Sequence, residues 1–132
     1  MLQRLTGTLD FQAQALTLRS ERQRLIASNI ANADTPGYQA RDFDFASALR
    51  AATGSTGVGE GIASTVMSRT GRPTPELRYA QPAQTNLDSN TVDMDRERAA
   101  FMENAVKYES TLRFINGNVR NMLDAMKSHN QA

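Results

Sequence analysis

Residues 27–45 read ASNIANADTPGYQARDFDF, and the fold of the chain turns on how this stretch is parsed. An amide-rich helical segment runs into Asp34-Thr35-Pro36-Gly37-Tyr38. Pro36 presets φ for the second position of a turn, and Gly37 supplies the positive φ that a type II turn needs at its third. Pro36 also pushes Thr35 out of the α region, so the preceding helix is expected to stop at about Ala33 or Asp34. After the turn, Asp42-Phe43-Asp44-Phe45 alternates carboxylates with rings, which suits a short extended segment with one side packed and the other wet.

Upstream, residues 1–34 read as one long helix. Leu2, Leu5, Leu9, Ala13, Leu16, Ser20, Ala27, Ile30 and Ala31 share one face at helical spacing. Phe11, Leu18 and Leu25 recur every seven residues on nearly the opposite side. A free surface helix needs a single apolar face. Two faces predict a sandwiched helix, with the larger stripe on its own chain and Phe11, Leu18 and Leu25 on another subunit. The plainer alternative is a central helix in a small bundle, for which few other helices are available. Arg19, Arg22 and Arg24, with Glu21 among them, read as solvated or subunit-facing surface.

Residues 91–132 carry the strongest periodicity, with a helix expected over about 93–128. Phe101, Ala105, Tyr108, Leu112, Ile115, Val119, Met122 and Met126 alternate spacings of four and three. That is a heptad seam, the pattern of coiled-coil packing. Glu103–Lys107 and Glu109–Arg113 are pairs four apart in the favourable order, and Asp93 and Asp95 suit the positive end of the helix dipole. Gly117, between Asn116 and Asn118, is either a tolerated surface glycine or a close-approach point for a neighbouring helix.

The fold class expected is mainly all-α. The helices of 1–34 and 91–132, each about 50 Å long, pair as an antiparallel coiled-coil hairpin and form one inner helical domain. Leu2, Leu5, Leu9, Leu16 and Ile30 meet the seam residues of the second helix. Residues 35–52 hold the turn, the acidic-aromatic segment and a short helical turn over Ala46–Ala52. In 53–90, five of the eight glycines fall between Gly54 and Gly71 and three of the four prolines between Pro73 and Pro82. This middle is expected to be irregular, with an extended piece at most over Ile62–Val66 and at most a short hairpin. A two-helix hairpin encloses no core, so it should be marginal alone and stabilised by neighbours.

Composition excludes more than it assigns. With 15 basic and 14 acidic residues the net charge is +1, which argues against a nucleic-acid partner held by an electrostatic footprint. There is no cysteine, hence no disulfide or thiolate metal site. Mean hydropathy is −0.52, and no run approaches transmembrane length. Gln3, Arg4, Thr6 and Thr8 interrupt the start of the chain, so no secretory apolar region forms, and a chain that left the cytosol would have to do so without a cleaved signal peptide. Asp93, Asp95 and Glu97 suggest calcium, but Arg98 and Asn104 stand where an EF-hand loop needs glycine and glutamate. His129, the sole histidine, lies near a helix end with no nucleophile to serve. Catalytic residues, cofactors, metals and small-molecule substrates are therefore not expected. Asn29 and Asn32 read either as local caps at a helix end or, the reading preferred here, as amides bonding across a subunit contact.

The same residues resemble a known family. Ala27-Ser28-Asn29-Ile30-Ala31-Asn32, continued by Ala33-Asp34-Thr35-Pro36-Gly37-Tyr38 and Ala40-Arg41-Asp42-Phe43-Asp44-Phe45, is similar to the N-terminal motif of flagellar axial proteins, in the form of the proximal rod members. Asn90-Thr91-Val92-Asp93-Met94-Asp95-Arg96-Glu97 and Glu103-Asn104-Ala105-Val106-Lys107-Tyr108 resemble the opening of that family's C-terminal helix. The resemblance implies a structural subunit whose paired terminal helices line a hollow helical rod that transmits torque and passes export substrates. It implies as partners further copies, other rod and basal-body proteins including the rod-to-ring junction, and the type III export apparatus. The implied location is the basal body in the periplasmic space. The alternative from another class is a soluble helical-hairpin adaptor or export chaperone that binds partner helices through the same stripes.

Overall fold

The computed structural model describes residues 2–54, 78–79 and 89–130. Its elements are α1 (Leu2–Ala31), β1 (Arg41–Asp42), α2 (Phe45–Ala52), β2 (Arg78–Tyr79) and α3 (Met94–Asn130). The two long helices pack antiparallel. Asn90, just before α3, bonds carbonyls at Asn32, Ala33 and Thr35, whereas Asn104, further along, meets Arg19 and Gln23 on α1. Each step up α3 is thus a step down α1, as the hairpin requires.

Local chemistry sets the helix ends. After Ala31 the ladder tightens, with Ala33 N–H donating to Ile30 O at 3.2 Å and Thr35 N–H to Asn32 O at 3.1 Å. The helix therefore stops two or three residues before the point Pro36 alone would set. The turn follows as read, with Gly37 at φ +72 and Tyr38 N–H on Thr35 O at 3.3 Å. Asp44 caps α2, accepting from Ala46 N–H at 3.1 Å and the Ser47 hydroxyl at 2.7 Å. Asp93 caps α3 in the same way through Asp95 and Arg96 N–H.

The packing inverts one sequence expectation. Leu18 and Leu25, expected at a subunit contact, are 1% and 6% exposed and form the core with Phe43. Phe45, Ala48, Leu49 and Ala52 close over them. The cause is α2: eight residues with an apolar side suffice to cover the second stripe of α1, and the short helical turn read over Ala46–Ala52 is that cover. Phe11 lies beyond its reach and stays 44% exposed. The larger stripe is the outward one. Leu5 is exposed, Ala13, Ser20, Ala27 and Ala31 face solvent, and Leu9, Leu16 and Ile30 are half-covered.

A second correction concerns α3. The residues turned to α1 are Asn104 and Thr111, both buried, flanked by half-covered Ala100, Ile115 and Met122. The heptad seam is split, its members Ile115 and Met122 lying beside that inward face and the rest turned further round the helix. Phe101, Tyr108, Leu112 and Val119 are all more than a third exposed, while Ala105 is half-covered. Asn104, between the two arms of the hairpin, supplies the reason. Its amide satisfies a backbone carbonyl of α1, and that bond requires its face, rather than the apolar seam, to be turned inward.

β2 pairs with β1 antiparallel, Arg41 opposite Tyr79 and Asp42 opposite Arg78, and the Arg41 guanidinium sits over the Tyr79 ring at 5.6 Å. This strand pair links the middle of the chain to the segment after the turn. Ile62–Val66 and the Gly54–Gly71 tract beyond Gly54 lie outside the described residues. Among those described, no helix is long and apolar enough to cross a membrane.

Candidate assembly surface and the polar clasp that shapes it

Three chain segments meet at the foot of the hairpin, and asparagine side chains join them. Asn29, 1% exposed on the last full turn of α1, donates Nδ2 to Arg41 O at 2.9 Å. Its Oδ1 accepts Arg41 N–H at 3.0 Å and the Tyr38 hydroxyl at 3.1 Å. Asn90, fully buried, directs Nδ2 to Asn32 O, Ala33 O and Thr35 O at 2.8–2.9 Å. Its Oδ1 accepts Val92 N–H at 2.8 Å. Carbonyls of the turn that follows α1 are thus bound by a side chain distant in sequence, so the contact also fixes tertiary structure. Thr91 completes the ring: its N–H donates to Tyr38 O at 3.1 Å, and its hydroxyl accepts Ala40 N–H at 3.0 Å.

Charged groups stiffen the side facing α2. Arg22 grips Asp42 through Nε and Nη2, both at 3.3 Å, a fork geometry that lysine could not reproduce. Arg19 lies over the Phe45 ring at 4.3 Å. Desolvation first, then the nearby Arg22 charge, draws the Arg19 guanidinium below its usual range. These two arginines, expected on a solvated or subunit-facing surface, are therefore intrachain; Arg24 pairs with Glu21 on the surface. Glu97 packs beside Asn29 and Asp42. Burial raises its carboxyl above the ordinary glutamate range. In the helix contact above, Asn104 donates to Arg19 O and Gln23 Oε1, both at 2.8 Å.

The motif residues separate into two groups. Ser28, Asn29, Asn32, Tyr38, Asp42 and Phe43 are inward-facing clasp and core residues. Asp34, Thr35, Pro36 and Gly37 form its exposed outer edge, and Arg41 lies on the exposed side of β1. The preference for Asn29 and Asn32 as subunit-contact amides is corrected: Asn29 is spent on Arg41 and Tyr38, and Asn32 donates to Ser28 O at 2.8 Å, the local cap. Asn90 and Asn104 went unassigned in the sequence, although both stood in recognisable stretches.

Large apolar side chains also remain outward. Beside the seam residues of α3, Met102, Val106 and Phe114 are each about two-thirds exposed (70%, 65% and 64%). The i,i+4 pairs lie among them, Lys107 on Glu103 and Arg113 on Glu109. Exposed apolar patches on this scale commonly mark interaction sites. Among the described residues no group of histidine, cysteine or carboxylate side chains is arranged for a metal ion.

Comparison with known proteins bears on what that surface serves. A family model described as "Flagella basal body rod protein" matches residues 9–39, the stretch from mid-α1 through the turn. The flagellar basal body rod protein FlgB of Escherichia coli (strain K12) is 44% identical over 138 residues, covering 98% of this chain and all of that protein. The FlgB of Salmonella typhimurium is 45% identical over 139 residues with the same coverage, and that of Aeromonas hydrophila is 40% identical over 115 residues, 86% of this chain and 87% of its own. An end-to-end relationship at this level makes the chain a structural subunit of the flagellar basal-body rod, not an enzyme, and it belongs to the FlgB family of flagellar basal body rod proteins.

Proposed function

We propose that this rod subunit assembles through the outward side of its helical hairpin, with the α3 seam and Phe11 packing against long helices of neighbouring axial subunits. The observation that carries the reading is the heptad row Phe101, Tyr108, Leu112 and Val119, more than a third exposed in the single chain. A four-three repeat is matched by another helix, whose side chains interlock with it, and this chain leaves Phe101, Tyr108, Leu112 and Val119 uncovered for one while half-covering Ala105, Ile115 and Met122. The clasp at the foot of the hairpin leaves the row accessible and the hairpin rigid where it is gripped.

Within the rod, we assign the subunit to the proximal segment. Contacts between unlike faces that do not close on themselves build a helical, hollow shaft, which transmits torque and passes export substrates. Copies of the chain, adjacent rod proteins and the junction with the membrane-embedded ring are the partners. The chain reaches the periplasmic space through the flagellar type III apparatus without a cleaved signal. Its polar helix contact, built on Asn104 and Thr111, suits a chain that travels unfolded and gains much of its stability on incorporation.

Quantitative immunoblotting of a tagged copy in purified basal bodies tests this, against cytosol and against cells lacking a working export apparatus. Export-dependent enrichment in basal bodies supports the reading. A cytosolic pool indifferent to export points instead to the adaptor or chaperone alternative, which no observation here favours.

A further inference from the structure

Residues of low helix propensity coincide at one level of the two long helices. Carrying on the register set by Asn90 and Asn104 places Gly7 of α1 beside Gly117 of α3. Thr6 and Thr8 flank the first glycine and Asn116 and Asn118 the second, so six poor helix formers occupy one cross-section of the hairpin. Nothing lies within 4 Å of a Cβ built at either glycine, so neither is kept small by packing within the chain. The hydroxyls of Thr6 and Thr8 bond back to Gln3 O and Arg4 O at 3.1 and 2.9 Å, a pattern that loosens and bends helices. Beyond this level Leu5, Leu123 and Met126 are 43%, 50% and 58% exposed, whereas the buried residues all lie on the clasp side of it.

We propose that the Gly7–Gly117 level is a joint that divides the hairpin into a fixed foot and a hinged tip, and that the tip re-angles about it when its apolar residues dock in the assembled rod. The foot is held by the asparagine clasp and the α2 cover. The tip, 2–6 with 118–130, has neither. A joint across both helices lets the tip swing as a unit without unpacking the foot, since fixed side-chain packing passes small movements on rather than absorbing them.

Hydrogen exchange on the purified full-length chain tests the joint itself, independently of the rod assignment; swimming of complemented cells tests its use and rests on that assignment. Tip amides are expected to exchange faster than those of 100–115. Gly7→Ala and Gly117→Ala should each slow the tip about fivefold while leaving the foot unchanged, and the double variant should swim poorly. Unchanged tip exchange in the double variant overturns the joint, and slowed exchange with normal swimming overturns its role in docking. A lost swimming phenotype could also arise from a Cβ clashing with a neighbour. Gly117→Ala combined with Asn116→Gly moves the glycine by one residue and keeps that Cβ. Recovered swimming supports the joint, and persistent loss overturns it in favour of close helix approach at position 117.

Discussion

Asn29 binds Arg41 with both halves of its amide, Nδ2 on the Arg41 carbonyl at 2.9 Å and Oδ1 on the Arg41 N–H at 3.0 Å. The side chain thereby does for Arg41 what the peptide of an adjacent strand would do. The first strand is paired on one edge by β2 and held at Arg41 by a side chain of α1, so a two-residue element persists where an isolated one would not. Asn29 also carries the Tyr38 hydroxyl, so one residue ties together the helix end, the turn and the strand.

Removing that amide exposes its value. Asn29→Ala leaves both backbone groups of Arg41 and the Tyr38 hydroxyl without their partner in a buried place. The expected loss is about 2–4 kcal/mol, read from urea denaturation of the full chain. A loss below about 0.5 kcal/mol would mean that the clasp contributes nothing to the fold.

The inverted faces predict opposite outcomes for two leucines. Leu18→Ala empties a site in the Leu18–Leu25–Phe43 core and should destabilise the isolated chain by about 2–4 kcal/mol. Leu112, 39% exposed, should tolerate aspartate in solution within about 0.5–1 kcal/mol, while Leu112→Asp abolishes incorporation into basal bodies. Thermal melts paired with basal-body fractionation distinguish them. Unfolding of the Leu112→Asp monomer would place the seam inside the hairpin after all.

Gly37 is tested by its backbone. At φ +72 it occupies the left-handed region, and no side chain crowds it. Gly37→Ala should therefore cost about 1–2 kcal/mol from conformation alone, with Gly37→Asn milder because asparagine enters that region more readily. Equal stability of all three in thermal melts would show that the turn relaxes to another form.

Two carboxylates give stability opposite dependences on pH. Burial raises the Glu97 carboxyl, so the folded state holds its proton more tightly than the unfolded state does. The penalty for the charged form is full above the raised value and vanishes as pH falls into the ordinary glutamate range. Glu97→Gln, which removes the charge and keeps the side-chain shape, should stabilise the chain at about pH 7 and lose that advantage near pH 4. Asp44 runs the other way. The Ser47 hydroxyl leads in holding its carboxyl low, so its contribution is present at neutral pH and lost as pH falls through the lowered value. Because Asp44 is exposed, Asp44→Asn should cost only a few tenths of a kcal/mol at neutral pH. Denaturant midpoints across pH check both signs.

The turn at Pro36–Gly37, the Asp93 start of α3 and the two long helices were legible because each is written in local chemistry. Periodicity also reported correctly that α1 has two apolar sides. It could not say what covers each. An apolar repeat at Leu18 and Leu25 states that the face is dry, and only the eight residues of α2, folded back over it, decide that the cover is intrachain. The seam of α3 was misplaced for a related reason. Asn104 interrupts no heptad, yet its bond to Arg19 O holds its own face against α1, so Phe101, Tyr108, Leu112 and Val119 stay more than a third exposed. Long-range amide bonds, Asn90 to the end of α1 above all, depend on tertiary geometry that spacing does not encode.

Thr91 and Ala40 touch at 3.0 Å although some fifty residues of chain run between them. The excursion from β1 to the start of α3 is therefore a closed loop whose two ends are pinned together by the hairpin. Closing a loop costs only logarithmically in its length, so doubling such an excursion adds about 0.6 kcal/mol. A chain built this way can lengthen or shorten what it carries between α2 and β2 while its paired helices keep the same register.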